Sequence, residues 1–234
     1  MQSVLPLWKE LDYFKEYAAK LRSFQGEDRA QETLSEALYV VSMGTNDFVE
    51  NYYAVRSGHA AEYAESASGY AGYLLGVAES FASALHALGA RKLDLNGLPP
   101  MGCLPLERHA VTGACTEEYN DVARAFNAGL RDLVARLDDS DEGLGGGARV
   151  VYGDVYGPVA DVLADPAAYG FEDVAAGCCG TTGRFEMGYM CNEASLLTCA
   201  DAGKYAFWDA IHPTEHLHRF LADRKMNTTL YVFQ

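Results

Sequence analysis

Residues 38–47 read LYVVSMGTND, an apolar run that stops abruptly at a glycine followed by three polar residues. Its length and the turn-forming residues at its end predict a buried β-strand over 38–43 followed by a tight turn. A strand that is apolar on both faces is typical of a parallel sheet covered by helices on each side. This stretch therefore points to an α/β fold.

The flanking sequence switches repeatedly between helical and strand periodicity. Apolar residues recur at steps of three and four, as in helices, over 7–21, 70–88 and 119–137. Two short runs, 92–96 and 149–152, are strand-like. Strands separated by long helices pair in parallel through right-handed crossovers. The sequence therefore predicts a three-layer α/β/α sandwich, with residues 1–234 as a single domain. In such a sheet the chemistry sits beyond the carboxyl ends of the strands.

Composition excludes several classes of function. The chain has 33 acidic and 18 basic residues, a formal net charge of −15. Phosphate-rich nucleic acids and anionic membrane surfaces would repel it, so we expect neither as a partner. No apolar run approaches the roughly 20 residues that cross a bilayer. The first residues, MQSVLPLWKELDYF, also lack the pattern of a signal peptide.

Six cysteines lie in the loop-rich middle and end of the chain: Cys103, Cys115, Cys178, Cys179, Cys191 and Cys199. Their even number favours disulfides over buried free thiols, and no C-x-x-C pair suggests a metal site. Adjacent cysteines are poorly placed to bond to each other, so Cys178 and Cys179 would each pair with either Cys191 or Cys199. The other two would then close their own short loop.

Persisting disulfides indicate an oxidising compartment. Asn227-Thr228-Thr229 is a candidate acceptor for an N-linked glycan, which fits that compartment. Both features conflict with the missing signal peptide. We therefore expect that this chain is an N-terminally truncated part of a secreted protein.

The segment Asp209-Ala210-Ile211-His212-Pro213 is a candidate acid and base pair. Proline biases His212 away from the helical region, and the three-residue step can bring the Asp209 carboxylate to the imidazole Nδ1. Such a carboxylate fixes the tautomer and stabilises the imidazolium that forms when Nε2 takes a proton. The alternative is a structural arrangement in which the aspartate caps a turn and the histidine precedes a proline that starts a helix.

The turn Gly44-Thr45-Asn46-Asp47 directly follows the strand over 38–43. Glycine allows close backbone approach, and the Asn46 amide could donate to an oxyanion. Gly44 is a second candidate donor. The alternative is that Asn46 caps a helix over 47–53.

Four segments in this order resemble plant GDSL-type esterases and lipases: GTNDF at 44–48, LPPMGCLP at 98–105, CCGTTG at 178–183 and FWDAIHPTE at 207–215. The resemblance implies the SGNH-hydrolase form of the flavodoxin-like sandwich. It also implies a secreted enzyme that needs no cofactor and hydrolyses small-molecule or polymer-borne acyl or acetyl esters through an acyl-serine. By the same resemblance, Asn46 matches the oxyanion-hole asparagine, Asp209 the acid and His212 the base.

The family's nucleophile lies in a Gly-Asp-Ser motif on the first strand, and this segment has no counterpart here. The visible strands would then be the third to fifth of the sheet, and the nucleophilic serine would be absent. Two alternatives stay open. The chain could be a non-catalytic interaction protein or inactive isoform on the same fold, or an active hydrolase completed by a separate N-terminal fragment.

Overall fold

The computed structural model describes residues 5–55, 59–63, 66–139, 141–180, 182–186, 188–191 and 197–233. The α-helices within these residues are α1 (Leu7–Gln25), α2 (Glu27–Glu36), α3 (His59–Glu62), α4 (Ala67–Ala87), α5 (Glu117–Leu137), α6 (Tyr156–Ala164) and α7 (Glu215–Thr228), with a π-helix at Asp47–Val55. The strands are β1 (Leu38–Ser42), β2 (Lys92–Asn96), β3 (Arg149–Gly153), β4 (Asp173–Gly177) and β5 (Tyr205–Phe207).

The main sheet consists of β1, β2 and β3 in that order, all parallel. Val40 of β1 lies beside Asp94 of β2, which lies beside Val151 of β3. Each strand reaches the next through a helix, so the alternation of periods in the sequence led to the correct topology. The predicted α/β sandwich is confirmed.

Helices cover this sheet on opposite faces. On one face, the ring of Phe14 in α1 meets Tyr39 of β1 edge-on, with ring centroids 5.5 Å apart. On the other face, Lys225 of α7 reaches Asp94, whose side chain is fully buried in the middle strand. Because successive side chains of a strand point to opposite faces, these contacts assign α1 and α7 to different layers.

The outer edge of β1 is not paired within the described part of the chain. Val41 is 9% exposed and belongs to the core, whereas its neighbour Val40 is 57% exposed. The face of β1 that carries Val40 is therefore open to solvent, although its composition is that of a buried strand.

Several elements, among them α2 and β4, were not anticipated from periodicity. Helix α2 is strongly polar (EDRAQETLSE) and buries only Ala30 and Leu34, so it carries no broad apolar stripe. Strand β4 (DVAAG) is short and pairs in parallel with β5 in a second sheet. That second sheet leads directly into the segment with Asp209 and His212.

Candidate active site

Asp209 and His212 form a direct hydrogen-bonded pair. The Asp209 carboxylate Oδ2 lies 2.8 Å from His212 Nδ1. The carboxylate side chain is 2% exposed, whereas the imidazole is 63% exposed. A buried carboxylate thus holds one ring nitrogen, and the ring itself remains accessible from solvent.

The local sequence explains why the pair forms. Strand β5 ends at Phe207, and the chain then folds into a tight turn in which the Trp208 N–H donates to the His212 carbonyl at 2.7 Å. Asp209 Oδ1 accepts from the backbone N–H groups of Ile211 at 2.9 Å and His212 at 2.6 Å. Thr214 then caps α7 by accepting from Leu217 N–H. The turn and the helix start fix both side chains.

These contacts shift both titrations. Burial by itself would raise the pKa of the Asp209 carboxyl, but hydrogen bonds from His212, Gly188 and Ile211 outweigh it and lower the pKa to about 2. The hydrogen bond to Asp209 raises the pKa of His212 against the opposing effect of burial, and the charges of Asp209 and Glu50 add to the rise. The carboxylate is therefore ionised at neutral pH and stabilises an imidazolium.

A loop from the cysteine-rich region completes the surroundings of the carboxylate. The Gly188 N–H donates to Asp209 Oδ2 at 3.0 Å, and the Ala210 N–H donates to the Glu186 carbonyl at 2.9 Å. A Cβ at Gly177, the last residue of β4, would lie 2.7 Å from the Asp209 carbonyl group, so close approach requires glycine there. Sequence reasoning missed Gly188, because a backbone donor leaves no signal in residue type.

The turn after β1 contains the second predicted group. Gly44 has φ of +107°, which favours glycine, and its carbonyl accepts from Phe48 N–H as the π-helix begins. Asn46 is exposed, and its side chain makes no hydrogen bond to any described residue, so nothing described supports the capping alternative. Burial raises the pKa of the Asp47 carboxyl, and the nearby Gly44 backbone opposes this rise.

Two contacts connect this turn to the Asp209 and His212 segment. A Cβ at Gly44 would lie 3.0 Å from Leu98 in the loop after β2. The same loop continues to Leu106, whose N–H donates to the Ala210 carbonyl at 3.0 Å. The loop after β2 therefore contacts both the turn after β1 and the turn that carries Asp209 and His212.

All six cysteines are paired. Cys103 bonds to Cys115 as expected, and the two alternatives left open by the sequence resolve to Cys178–Cys199 and Cys179–Cys191. The second and third bridges are nested, with the Cys179–Cys191 loop inside the other.

Other candidate residues lie away from this pair. Asn227 is exposed at the last turn of α7, where its amide donates to the Asp223 carbonyl at 2.8 Å. His216 stacks on Phe171 and hydrogen-bonds the Gly203 carbonyl. Among the described residues, no group of three or more His, Cys, Asp or Glu side chains is arranged to hold a metal.

Parallel strands flanked by helices place the chain in the α/β-sandwich class. The chain belongs to the GDSL-like lipase/acylhydrolase family, because the model of that family matches residues 10–224.

Named relatives in Arabidopsis thaliana agree with this assignment. The chain is 46% identical over 234 residues to GDSL esterase/lipase At2g04570, covering 99% of this chain and 65% of that protein. It is 44% identical over 235 residues to GDSL esterase/lipase At4g26790, with 99% and 65% covered. For GDSL esterase/lipase At2g42990 the identity is 43% over 225 residues, with 94% and 61% covered.

The chain thus spans less than two thirds of the length of these relatives. In the part of the chain that the structure describes, no helix has both the length and the apolarity needed to cross a membrane.

Proposed function

We propose that the protein takes part in the hydrolysis of carboxylic esters, with His212 as the general base and Asp209 as its acid partner. The observation that carries this proposal is the 2.8 Å contact between a buried carboxylate and an imidazole that is open to solvent. Membership of a lipase and acylhydrolase family makes ester substrates the class that fits this chemistry.

The contact between the two side chains supports a proposed assignment of the protons. Asp209 Oδ2 keeps a proton on His212 Nδ1, so Nε2 carries the free lone pair. Nε2 takes the proton of a serine hydroxyl as its oxygen attacks the ester carbonyl, and the imidazolium returns that proton to the leaving alcohol. A water molecule then attacks the acyl-serine by the same route, releasing the acid and restoring the hydroxyl. Asp209 stays ionised and stabilises the imidazolium in both steps.

The Asn46 amide is proposed to donate to the oxyanion of each tetrahedral intermediate. Its exposure and its position beyond the carboxyl end of β1 support this role. A single such donor in an acyl-transfer site is typically worth about 3 kcal/mol of transition-state stabilisation. The Gly44 N–H is a second candidate donor.

The serine is proposed to come from a segment other than the four that carry the family resemblance. Residues 1–234 would then supply the base, the acid and an oxyanion donor, and a serine-bearing segment, in the same polypeptide or as a complementing fragment, would supply the nucleophile. A second candidate function is ligand binding without catalysis. It is favoured by one observation: none of the four segments that carry the family resemblance contains a serine.

The site of action is proposed to be the secretory pathway or the extracellular space. Three disulfides with no free cysteine fit an oxidising compartment. Expression through a secretory pathway should add a glycan at Asn227, seen as a mass shift that glycosidase removes and that Asn227→Gln abolishes. Unglycosylated Asn227 in secreted material would contradict this part.

The central test compares ester turnover by residues 1–234 alone and with a serine-bearing upstream segment restored. The chain alone should show neither burst nor turnover on p-nitrophenyl esters, and restoration should produce both. His212→Ala should abolish that turnover, whereas His218→Ala, in an exposed histidine of α7, should leave it intact. Turnover by the restored protein that survives His212→Ala would refute the assignment.

Turnover should also depend on pH in a defined direction. The base works only when neutral, so the rate should rise with pH through the pKa of His212. Because Asp209 raises that pKa, Asp209→Asn should move the midpoint to lower pH and reduce kcat. A midpoint that does not move would contradict the pairing.

A further inference from the structure

We propose that the loop closed by the Cys179–Cys191 disulfide positions Asp209, and that opening this disulfide loosens the Asp209–His212 pair. The disulfide would thereby act as a positioning element for the acid partner of the base. This inference rests on the proposed function, since it concerns the same two side chains.

The loop contacts the Asp209 carboxylate directly. Asp209 Oδ2 accepts two hydrogen bonds, one from His212 Nδ1 at 2.8 Å and one from Gly188 N–H at 3.0 Å. The oxygen that holds the imidazole is therefore also held by the loop. Among the described residues, the other oxygen, Oδ1, accepts hydrogen bonds only from the turn that contains Asp209.

Further hydrogen bonds hold the loop in place around that contact. The Glu186 carbonyl accepts from Ala210 N–H at 2.9 Å, next to Asp209 in the chain. The Glu186 carboxylate in turn accepts from the N–H of Thr182 at 3.1 Å and from its hydroxyl at 2.8 Å. These bonds curl the loop so that Glu186 and Gly188 both face the turn.

Backbone hydrogen bonds also anchor the two ends of the loop. The Cys179 N–H donates to the Trp208 carbonyl at 2.7 Å, one residue before Asp209. At the other end, the Cys191 N–H donates to the Gly188 carbonyl at 3.0 Å, three residues from the contact with Asp209. The disulfide joins these ends covalently. It therefore ties Gly188 to Trp208, at the start of the turn over residues 208–212 that carries Asp209 and His212 (the active turn).

The chain offers a matched control for a purely structural disulfide. Cys103–Cys115 spans the same sequence separation of 12 residues, so both bridges constrain the unfolded chain similarly. Its loop also touches the active turn, through Leu106 N–H and the Ala210 carbonyl, but none of its described residues donates to the Asp209 carboxylate. Of these two loops, only the one closed by Cys179–Cys191 should affect the carboxylate.

The experiment measures His212 directly by NMR and needs no ester turnover. The purified protein is compared with Asp209→Asn, with Cys179→Ser/Cys191→Ser and with Cys103→Ser/Cys115→Ser, following the pKa of His212 and its downfield Nδ1–H resonance. The charged groups that face this ring are Asp209 and, from the π-helix, Glu50. Opening the Cys179–Cys191 loop should lower the His212 pKa by at least half of the fall seen in Asp209→Asn.

The control disulfide should leave the His212 pKa and the Nδ1–H resonance unchanged. If opening either disulfide has the same effect, or if neither has any, the proposal is overturned. If the Cys179→Ser/Cys191→Ser variant does not fold, Glu186→Ala is measured instead, because it loosens the loop and leaves the disulfide intact. A lowered His212 pKa in that variant supports the proposal that the loop positions Asp209. An unchanged His212 pKa overturns it. An Asp209→Asn variant that leaves the His212 pKa unchanged would remove the proposed function as well. Loss of turnover with intact NMR responses would remove only the function.

Discussion

Replacing Asp209 with asparagine tests how strongly the active turn depends on a buried negative charge. The pKa of this carboxyl falls from 3.8 to about 2 in the folded protein. At about 1.4 kcal/mol per pKa unit, this shift corresponds to about 2 kcal/mol of stability at neutral pH. The side chain is 2% exposed, so solvent screens this contribution little.

Geometry adds a second cost. Asparagine can keep the two bonds at Oδ1, but an amide NH₂ in place of Oδ2 would face the Gly188 N–H, which is also a donor. Leaving that partly buried N–H unpaired costs about 1 kcal/mol more. We therefore expect Asp209→Asn to lower the free energy of unfolding at pH 7 by about 3 kcal/mol.

The assay is urea unfolding with the disulfides intact, followed by circular dichroism. Asp139→Asn is the matched control, because Asp139 also accepts from the N–H groups two and three residues ahead, but on the surface and without a histidine. That variant should unfold like the unsubstituted protein. The control separates the buried charge from the turn geometry that both aspartates share.

The difference in unfolding free energy between the protein and Asp209→Asn should depend on pH in a defined direction. The contribution of Asp209 is complete above its unfolded pKa near 3.8 and is lost as pH falls through about 2. The raised pKa of His212 contributes stability below about pH 6.5, and this is lost as pH rises through its folded pKa. The destabilisation by Asp209→Asn should therefore be largest between about pH 4 and 6.5. Equal stability of the two proteins, or a difference that stays constant from pH 5 to pH 2, would refute this reasoning.

Two further predictions concern the scaffold. Val40→Lys, on the exposed face of the edge strand, should reduce self-association and the binding of a hydrophobic dye and leave the free energy of unfolding unchanged. Val41→Lys should lower the free energy of unfolding by several kcal/mol, because it buries a charge. Similar behaviour of the two variants in urea unfolding and dye binding would contradict the burial pattern. Asn127→Ala should lower the free energy of unfolding by about 3 kcal/mol, because the buried amide both donates to and accepts from the backbone of Leu98. Asn227→Ala, on the surface, should leave it unchanged. Equal urea midpoints of the two variants would refute this prediction.

Much of the fold was legible in local pattern. The strands over 92–96 and 149–152 and the helical stripe over 119–137 correspond closely to β2, β3 and α5. These elements bury continuous runs or stripes, so their periods appear in the sequence directly. Helix α2 and strand β4 escaped notice because one is almost entirely polar and the other is short and rich in alanine and glycine.

The sequence by itself determined that Asp209 and His212 are three residues apart before a helix, and a three-residue step across a turn is enough to bring their side chains together. Only the tertiary structure decided what surrounds that pair. The choice of Cys178–Cys199 and Cys179–Cys191 over the reverse pairing depends on where separate loops meet in space. The hydrogen bond from Gly188 to Asp209 joins residues 21 positions apart through a backbone N–H that every non-proline residue has, so no residue type could have predicted it.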